Sequence, residues 1–215
     1  AISLLGGMCK VCEGNAEIET RRFAAEVACR LSGDDRTSRI FVVRGGLSNL
    51  SDLCRGHFKR SKKTENGYEY ENYTRMMLAT AFLQISMHAD NVKDMIDAGC
   101  IEDLTGLAET TDVAVLEKIV AVIRSLAWSE KNHEALVHKY HVVLLLGNIV
   151  QRAPCTEAMR LDCADAICNL SYHLSSDSYH DMVQDGVVDM LVQLADTSES
   201  TESSKTTNNG NEDEN

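Results

Sequence analysis

The sequence predicts an all-α protein, built as a right-handed α-solenoid of three-helix repeats. Two observations lead to this prediction: a short helix–turn–helix unit recurs along the chain, and the composition suits helices. The chain has 1 Pro in 215 residues and 5% aromatic residues, and Pro is the residue that helices tolerate least. Hydrophobic residues make up 44% of the chain, so stacked helices can bury a sizeable core.

The segment NVKDMIDAGCIEDLTGLAET, residues 91–110, shows the unit most clearly. Met95 and Ile96 lie on one apolar helix face, and Ile101 begins a second apolar stripe at helical spacing. Gly99 lies between them, and Gly adopts positive φ without a steric penalty, which is a common way to end a helix. The pattern therefore predicts two short helices joined by a sharp turn.

Three further segments repeat this unit. One of them has no Gly at the turn, and its turn residue is one of two alternatives. Because one such unit cannot bury its apolar face alone, neighbouring units are expected to stack into a continuous core. The segments and their turn residues are 36–54 with Gly45, 132–151 with Tyr140 or His141, and 178–197 with Gly186.

A longer third helix precedes each unit, and these helices share an apolar ending. Aligning Leu31, Ile85, Leu126 and Leu170 gives steps of 54, 41 and 44 residues by subtraction of the residue numbers. Two of these steps match the ~40–47 residues expected of stacked two- or three-helix repeats. The first step is longer because it contains an insert at 55–73.

The unit has the pattern N-x-x-x-[ILM]-[IV]-x-x-G-x-[IV]-x-x-L-x-x-L, followed by A-x-x-x-L-x-[NS]-L-[AS], and this resembles the armadillo repeat. Residues 91–110, AVIRSLAWSEKN and ADAICNLSYH carry the resemblance. It covers about residues 1–197, as a partial repeat, three fuller ones and a last unit that ends after its second helix. The resemblance implies a non-enzymatic scaffold or adaptor for a protein or peptide partner, but it does not name the partner.

In peptide-binding armadillo proteins the third helices line a concave groove, where a ladder of Asn side chains grips the backbone of the partner. The matching positions here hold Arg30, Gln84, Ser125 and Asn169. Asn169 alone keeps the family residue, and the Gln84 amide can partly substitute because it also donates and accepts.

One turn earlier, proteins of this kind that bind cargo peptides carry Trp. The chain instead has Glu26, Thr80, Ala121 and Asp165 at those positions. The resemblance therefore does not extend to the Trp-lined cargo groove. A groove that binds another peptide or a helix remains an alternative.

Two further features have alternative interpretations. Trp128, the single Trp, is expected to pack between repeats, and the alternative is a binding hot spot. Asp162, Asp165 and Asn169 share one helix face by their spacing. That face is either a solvated surface or an anchor for a basic partner, and the net charge of −12 is compatible with such a partner.

The insert at 55–73 is expected to project from one edge of the solenoid, between a second and a third helix. Its run K59-R60-S61-K62 fits a nuclear-localisation pattern, although a solvated loop is the usual identity of such runs. Residues 198–215 are polar and of low complexity, so we expect a disordered tail.

Composition argues against several functions. The net charge of −12 disfavours nucleic-acid binding, and no apolar run approaches the ~20 residues of a membrane span. Cys9 and Cys12 form a C-x-x-C without a second pair, so no metal or other cofactor is expected. Cys29, Cys163 and Cys168 fall in apolar stripes, which favours a reducing compartment, the cytoplasm or the nucleus.

No catalytic motif is present, so we do not expect an enzyme. The alternatives to a binding module are a structural spacer or assembly segment of a cytoskeletal, ciliary or signalling protein, and a regulatory region attached to a catalytic domain elsewhere. Because the chain opens on Ala1 within an apolar pattern, we expect a fragment of a longer protein. Most His residues near helix ends are expected to be exposed, namely His133, His138, His141, His173 and His180.

Overall fold

The computed structural model describes residues 15–58 and 67–196, and every regular element within those ranges is helical. The predicted all-α solenoid of three-helix repeats is therefore confirmed. Four sequence features lie outside the described residues: the apolar segment 1–8, the Cys9–Cys12 motif, the basic run 59–63 and the tail 198–215.

The helices group into consecutive repeats. Helix α1 is the third helix of an incomplete repeat, three repeats follow, and the last two helices form a final unit. In the third of these repeats a 3₁₀ turn (Glu130–Asn132) and a π-helical turn (Ala135–Lys139) replace the first α-helix. The α-helices are α1 (Asn15–Ser32), α2 (Asp35–Val43), α3 (Gly46–Phe58), α4 (Gly67–Ser86), α5 (Ala89–Asp97), α6 (Cys100–Leu107), α7 (Val113–Ala127), α8 (Val142–Arg152), α9 (Glu157–Leu170), α10 (Ser176–Gln184) and α11 (Val187–Ala195).

The sharp turns within the repeats have the backbone geometry that the sequence predicts. Gly45, Gly99 and Gly186 have φ values of 83°, 72° and 86°. His141 occupies the same place in the remaining repeat, with φ 48°, whereas Tyr140 has φ −106°. The open choice between these two residues is thus settled in favour of His141, a non-glycine residue held in the left-handed region.

The third helices form the spine of the solenoid. Helix α4 packs on α1, α7 packs on α4, and α9 packs on α7. Of the residues that align at the helix ends, Ile85, Leu126 and Leu170 are fully buried along this stack, and Leu31 is partly buried. The repeats therefore share one continuous apolar core, as expected for units that are unstable alone.

Buried polar side chains lock successive repeats together at the ends of these helices. The Nδ2 atoms of Asn91 and Asn132 donate to the carbonyls of Ile85 and Leu126, at 3.4 Å and 3.0 Å. Asn91 also donates to Ser38 Oγ of the preceding repeat, at 3.2 Å. These bonds satisfy helix-end carbonyls that lack partners within the helix.

The insert is shorter in the structure than the sequence predicted. Residues 55–58 complete α3, and residues 67–73 begin α4. Within this part of α4, Glu71 contacts Arg75 at 3.1 Å, and Arg75 donates to the carbonyl of Leu107 at 3.0 Å. The prediction of a projecting loop over 55–73 is therefore wrong at both ends, because polar and aromatic residues there extend the helices.

His–Asp pairs join the final unit to the repeat before it. His138 Nδ1 lies 2.5 Å from Asp181 Oδ2, and His141 Nδ1 lies 3.1 Å from Asp185 Oδ2. The hydrogen bond to Asp181, together with the charge of that carboxylate, raises the pKa of His138. His138 is exposed, as predicted, so this pair is accessible to solvent.

We expect this junction to weaken as the pH rises. A His whose pKa is higher in the folded state contributes stability fully below its ordinary value near 6.5, and that contribution is lost as pH rises through the folded value. The urea midpoint of the wild type should therefore fall between mildly acid and mildly alkaline pH by more than that of Asp181→Asn. Parallel pH dependence in the two proteins would contradict the prediction.

Candidate functional site

A concave pocket of about 500 Å³ opens where α4 and α7 end, with one residue of α9 at its edge. One wall comes from the turn after α4 and from α5, and the other from the end of α7. Its lining combines apolar, hydroxyl and charged side chains. The lining residues are Ser86, Met87, Ala89, Val92, Arg124, Ser125, Trp128, Ser129 and Asp165.

Trp128 stands out in this pocket because it is 79% exposed. Helix α7 ends at Ala127, and Trp128 follows as its C-cap, with its N–H bonded to the carbonyl of Ser125 at 3.4 Å. The side chain therefore lies beyond the stacked helices instead of between them. The expectation that Trp128 packs between repeats is wrong, and the residue is free to contact a partner.

Met87 lines the same pocket and is 71% exposed. It follows the last residue of α4, Ser86, as Trp128 follows the last residue of α7. Large apolar side chains exposed to this degree beside a concavity are typical of interaction sites when they form a patch. Met and Trp are both enriched at protein interfaces.

Charges in the pocket are partly paired within the chain. Arg124 Nε lies 3.2 Å from Asp162 Oδ1, and Arg124 Nη1 lies 3.9 Å from Asp165 Oδ2. Partial burial raises the pKa of Asp162, and the nearby Arg124 guanidinium opposes this rise. The predicted face of Asp162, Asp165 and Asn169 is thus not a freely solvated acidic surface, since Arg124 bridges its two carboxylates.

Asp165 is the more available of the two carboxylates. Its side chain is 48% exposed, whereas that of Asp162 is 24% exposed. Its contact with Arg124 is at the long end of the ion-pair range, where the Coulomb term is weak in solvent. Asp165 can therefore accept a cation from a partner while Asp162 keeps Arg124 in place.

One of the predicted Asn-ladder positions lies in the pocket, and another lies near it on α9 without lining it. Ser125 lines the pocket directly. Asn169 lies one turn after Asp165 in α9, half-buried, and its buried Nδ2 atom has no hydrogen-bond partner among the described residues. An unpaired buried amide is unusual, because such groups normally find an acceptor.

The remaining predicted positions lie along α1 and α4, away from the pocket. Arg30 contacts Glu26 at 2.6 Å within α1, so both charges are already paired. Thr80 Oγ1 donates to the carbonyl of Met76 at 2.7 Å. Gln84 is half-buried, and its Oε1 lies 3.8 Å from Cys29 Sγ. None of these residues lines the pocket with Trp128.

His133 is a residue whose role the sequence did not reveal. It was expected to be exposed, but it is buried beneath the loops that follow α7 and α9. Its Nε2 lies 2.8 Å from the carbonyl of Ala127, and its Nδ1 lies 2.9 Å from the carbonyl of Tyr172. His133 thus fixes the backbone next to Trp128, and its position directly after a 3₁₀ turn gives no signal in the hydrophobic pattern.

The described part of the chain contains no group of His, Cys, Asp and Glu side chains that could hold a metal ion. The described cysteines are free thiols. Burial raises the pKa of Cys54 and Cys100 well above the ordinary value, and that of Cys163 to about 12. Because the thiolate is the nucleophile, these thiols are inert. Cys168 is exposed, contrary to the expectation that it belongs to an apolar stripe.

Comparisons with known proteins reveal the fold. No protein-family model and no curated protein matches the chain. The chain is similar to a solved structure of computationally designed armadillo repeat proteins for modular peptide recognition, with a TM-score of 0.66 and 18% identity over 93% of this chain and 76% of that one.

Two engineered proteins of known structure are similar to a comparable extent. One has a TM-score of 0.63 and 20% identity over 93% of this chain and 73% of its own. The other has a TM-score of 0.65 and 15% identity over 89% and 72%. Together with the turn geometry, these likenesses confirm the armadillo-type repeat fold predicted from the motifs. None of the described helices is long and apolar enough to cross a bilayer.

Proposed function

We propose that this chain is a non-enzymatic protein-binding module, a scaffold or adaptor that holds a peptide segment of its partner in the pocket beside Trp128. The observation that carries the proposal is the 79% exposure of this single Trp at the mouth of a concave site. Trp is strongly enriched among the residues that dominate binding energy. Because the indole ring is large, covering it removes more apolar area from water than covering a smaller side chain would, and this favours binding.

The polar groups of the pocket support a peptide as the occupant. Ser125 and Ser129 line the pocket and are partly exposed, so their hydroxyls can donate to and accept from a peptide. The designed armadillo neighbour is described as serving modular peptide recognition, which also supports this class of ligand.

The partner segment carries Lys or Arg in this proposal. Asp165 retains an accessible carboxylate, and the whole chain has a net charge of −12. The aromatic face of Trp128 is also the best ring for a cation. The free thiols of the described residues favour a reducing compartment, and we place the protein in the cytoplasm.

Peptide selection tests the proposal even though the partner is unidentified. A random peptide library is selected on the wild-type protein, and the enriched peptides are synthesised and titrated. We expect Trp128→Ser to weaken their binding at least about tenfold, as for a central interface aromatic. Binding is followed by the anisotropy of fluorescently labelled peptides, because Trp128→Ser removes the 1 Trp of the chain and with it the intrinsic signal.

Leu144→Ser is the matched control for this experiment. Leu144 is also an exposed apolar residue, but it lies on the second helix α8, outside the pocket lining. Its substitution should leave the affinities unchanged. A library that yields no enriched peptide, or peptides that bind Trp128→Ser as tightly as wild type, would contradict the proposal and favour the spacer role.

A further inference from the structure

We propose that Met87, Trp128 and Tyr172 form one apolar ladder along the edge of the groove, and that this ladder binds a proline-rich, basic segment in the polyproline II conformation. The inference rests on the proposed function and deepens it. It names the conformation of the partner segment and the spacing of its apolar side chains. It also extends the site beyond the pocket to Tyr172, which does not line that pocket.

The three ladder residues occupy one register of the repeat. Each is the second residue after a fully buried residue at the end of a third helix, namely Ile85, Leu126 and Leu170. Their side chains are 71%, 79% and 56% exposed, in chain order. Because α4, α7 and α9 stack in sequence, equivalent positions on them lie along the same edge of the solenoid.

The backbone of each ladder residue is held in the same way. The N–H groups of Met87, Trp128 and Tyr172 donate to carbonyls in the last turn of the preceding helix, at 3.1 Å, 3.4 Å and 3.2 Å. His133 adds a direct link, since its ring contacts the carbonyls of Ala127 and Tyr172. Two neighbouring ladder residues are thus fixed relative to each other before a ligand arrives, which lowers the entropic penalty of binding.

The spacing of the ladder favours polyproline II as the partner conformation. Packed helices generally lie about 8–10 Å apart, so we expect equivalent residues on stacked third helices at about this separation. Polyproline II has three residues per turn and a rise of about 3.1 Å, so every third side chain returns to one face after roughly 9 Å. A β-strand cannot do this, because residues three apart point to opposite faces.

Side-chain chemistry and charge favour the same ligand. Aromatic-lined grooves are the usual receptors for proline-rich segments, because they cover the prolines and the segment loses little entropy. Trp128 and Tyr172 supply the aromatic surfaces. Asp165 lies at the edge of the pocket with its carboxylate half-exposed. A Lys or Arg in the partner segment, next to the apolar residue that contacts Trp128, would therefore pair with this carboxylate.

The test uses three fluorescently labelled peptides that contain the same Leu and Arg residues. The first places Leu at every third position in a Pro background. The second has the same composition with Leu at every second position. The third is a helix-forming peptide with its Leu residues seven apart, which gives a rise of about 10.5 Å along an α-helix. Binding is measured by fluorescence anisotropy.

We expect the first peptide to bind at least about tenfold more tightly than the other two, as for the loss of a central contact. Met87→Ser and Tyr172→Ser should each weaken its binding by a similar factor, and Leu144→Ser should not. Tighter binding of the helical peptide, or no binding of the first peptide, would overturn the proposal. If Trp128→Ser abolishes peptide binding while Tyr172→Ser has no effect, Tyr172 is not part of the binding site. The ladder proposal is then overturned, and the proposed function stands.

Discussion

Phe82→Ala should lower the free energy of unfolding by about 3–5 kcal/mol, the usual effect of deleting a buried aromatic side chain. Phe82 is fully buried in α4. This helix packs on both α1 and α7, so a cavity there removes contacts from two neighbouring repeats. In a solenoid, stability is the sum of the repeats and their interfaces, and each interface involves nearest neighbours only.

Phe23→Ala is the matched control, because Phe23 has the same side chain but is about half-exposed on α1. It should cost about 1 kcal/mol or less. Urea denaturation followed by far-ultraviolet circular dichroism measures both variants. The Phe82 variant is also expected to unfold in a broader transition, because weakened interfaces reduce cooperativity between repeats. Equal losses in the two variants would show that α4 is not the shared core of its neighbours.

The repeat architecture was predictable because it depends on local signals. The residues before and after Gly99 show helical spacing on both sides of a residue that tolerates positive φ. The same logic located Gly45 and Gly186, and the structure confirms all three. Where the turn has no Gly, the pattern left Tyr140 and His141 as alternatives. His141 adopts positive φ only because the surrounding fold constrains it, and the sequence does not show that constraint.

The candidate site was less predictable because it depends on where helices end. The sequence favoured burial of Trp128, since large aromatics usually contribute to cores. Helix α7 ends at Ala127, and this places the next side chain outside the stack. The sequence indicates that Trp128 follows the third helix, but spacing alone does not show whether a side chain just past a helix end folds back onto the core or faces solvent.

The ion pairs between repeats could also not be predicted from the sequence pattern. Arg124 belongs to α7, and the carboxylates that it contacts belong to α9, the third helix of the next repeat. The acidic face therefore appeared unopposed in the sequence. Likewise, His133 contacts the carbonyls of Ala127 and Tyr172. Because these are backbone groups, the spacing of side chains in the sequence cannot predict the contacts.

Gly46→Ala is the second substitution that we expect to destabilise the fold strongly, although it adds only one methyl group. A Cβ at Gly46 would lie 2.4 Å from Cδ1 and Cε1 of Phe41. The Phe41 ring is fully buried, so it cannot move aside without disturbing the core. Overpacking of this kind typically costs about 1–3 kcal/mol. The requirement differs from that at Gly45, where the left-handed φ of 83° is the reason for Gly.

Gly147→Ala tests whether the contact with Phe41, rather than the loss of a glycine, causes this destabilisation. Gly147 lies inside α8, and no atom lies within 4 Å of a Cβ built there. Alanine at that site should stabilise the protein by about 0.5–1 kcal/mol, because Gly loses more backbone entropy than Ala in a helix. The two Gly→Ala variants should therefore shift the urea midpoint in opposite directions. A Gly46→Ala protein as stable as wild type would mean that the α2–α3 turn can open enough to accommodate a methyl group, and that Phe41 does not fix the angle between the first two helices of its repeat.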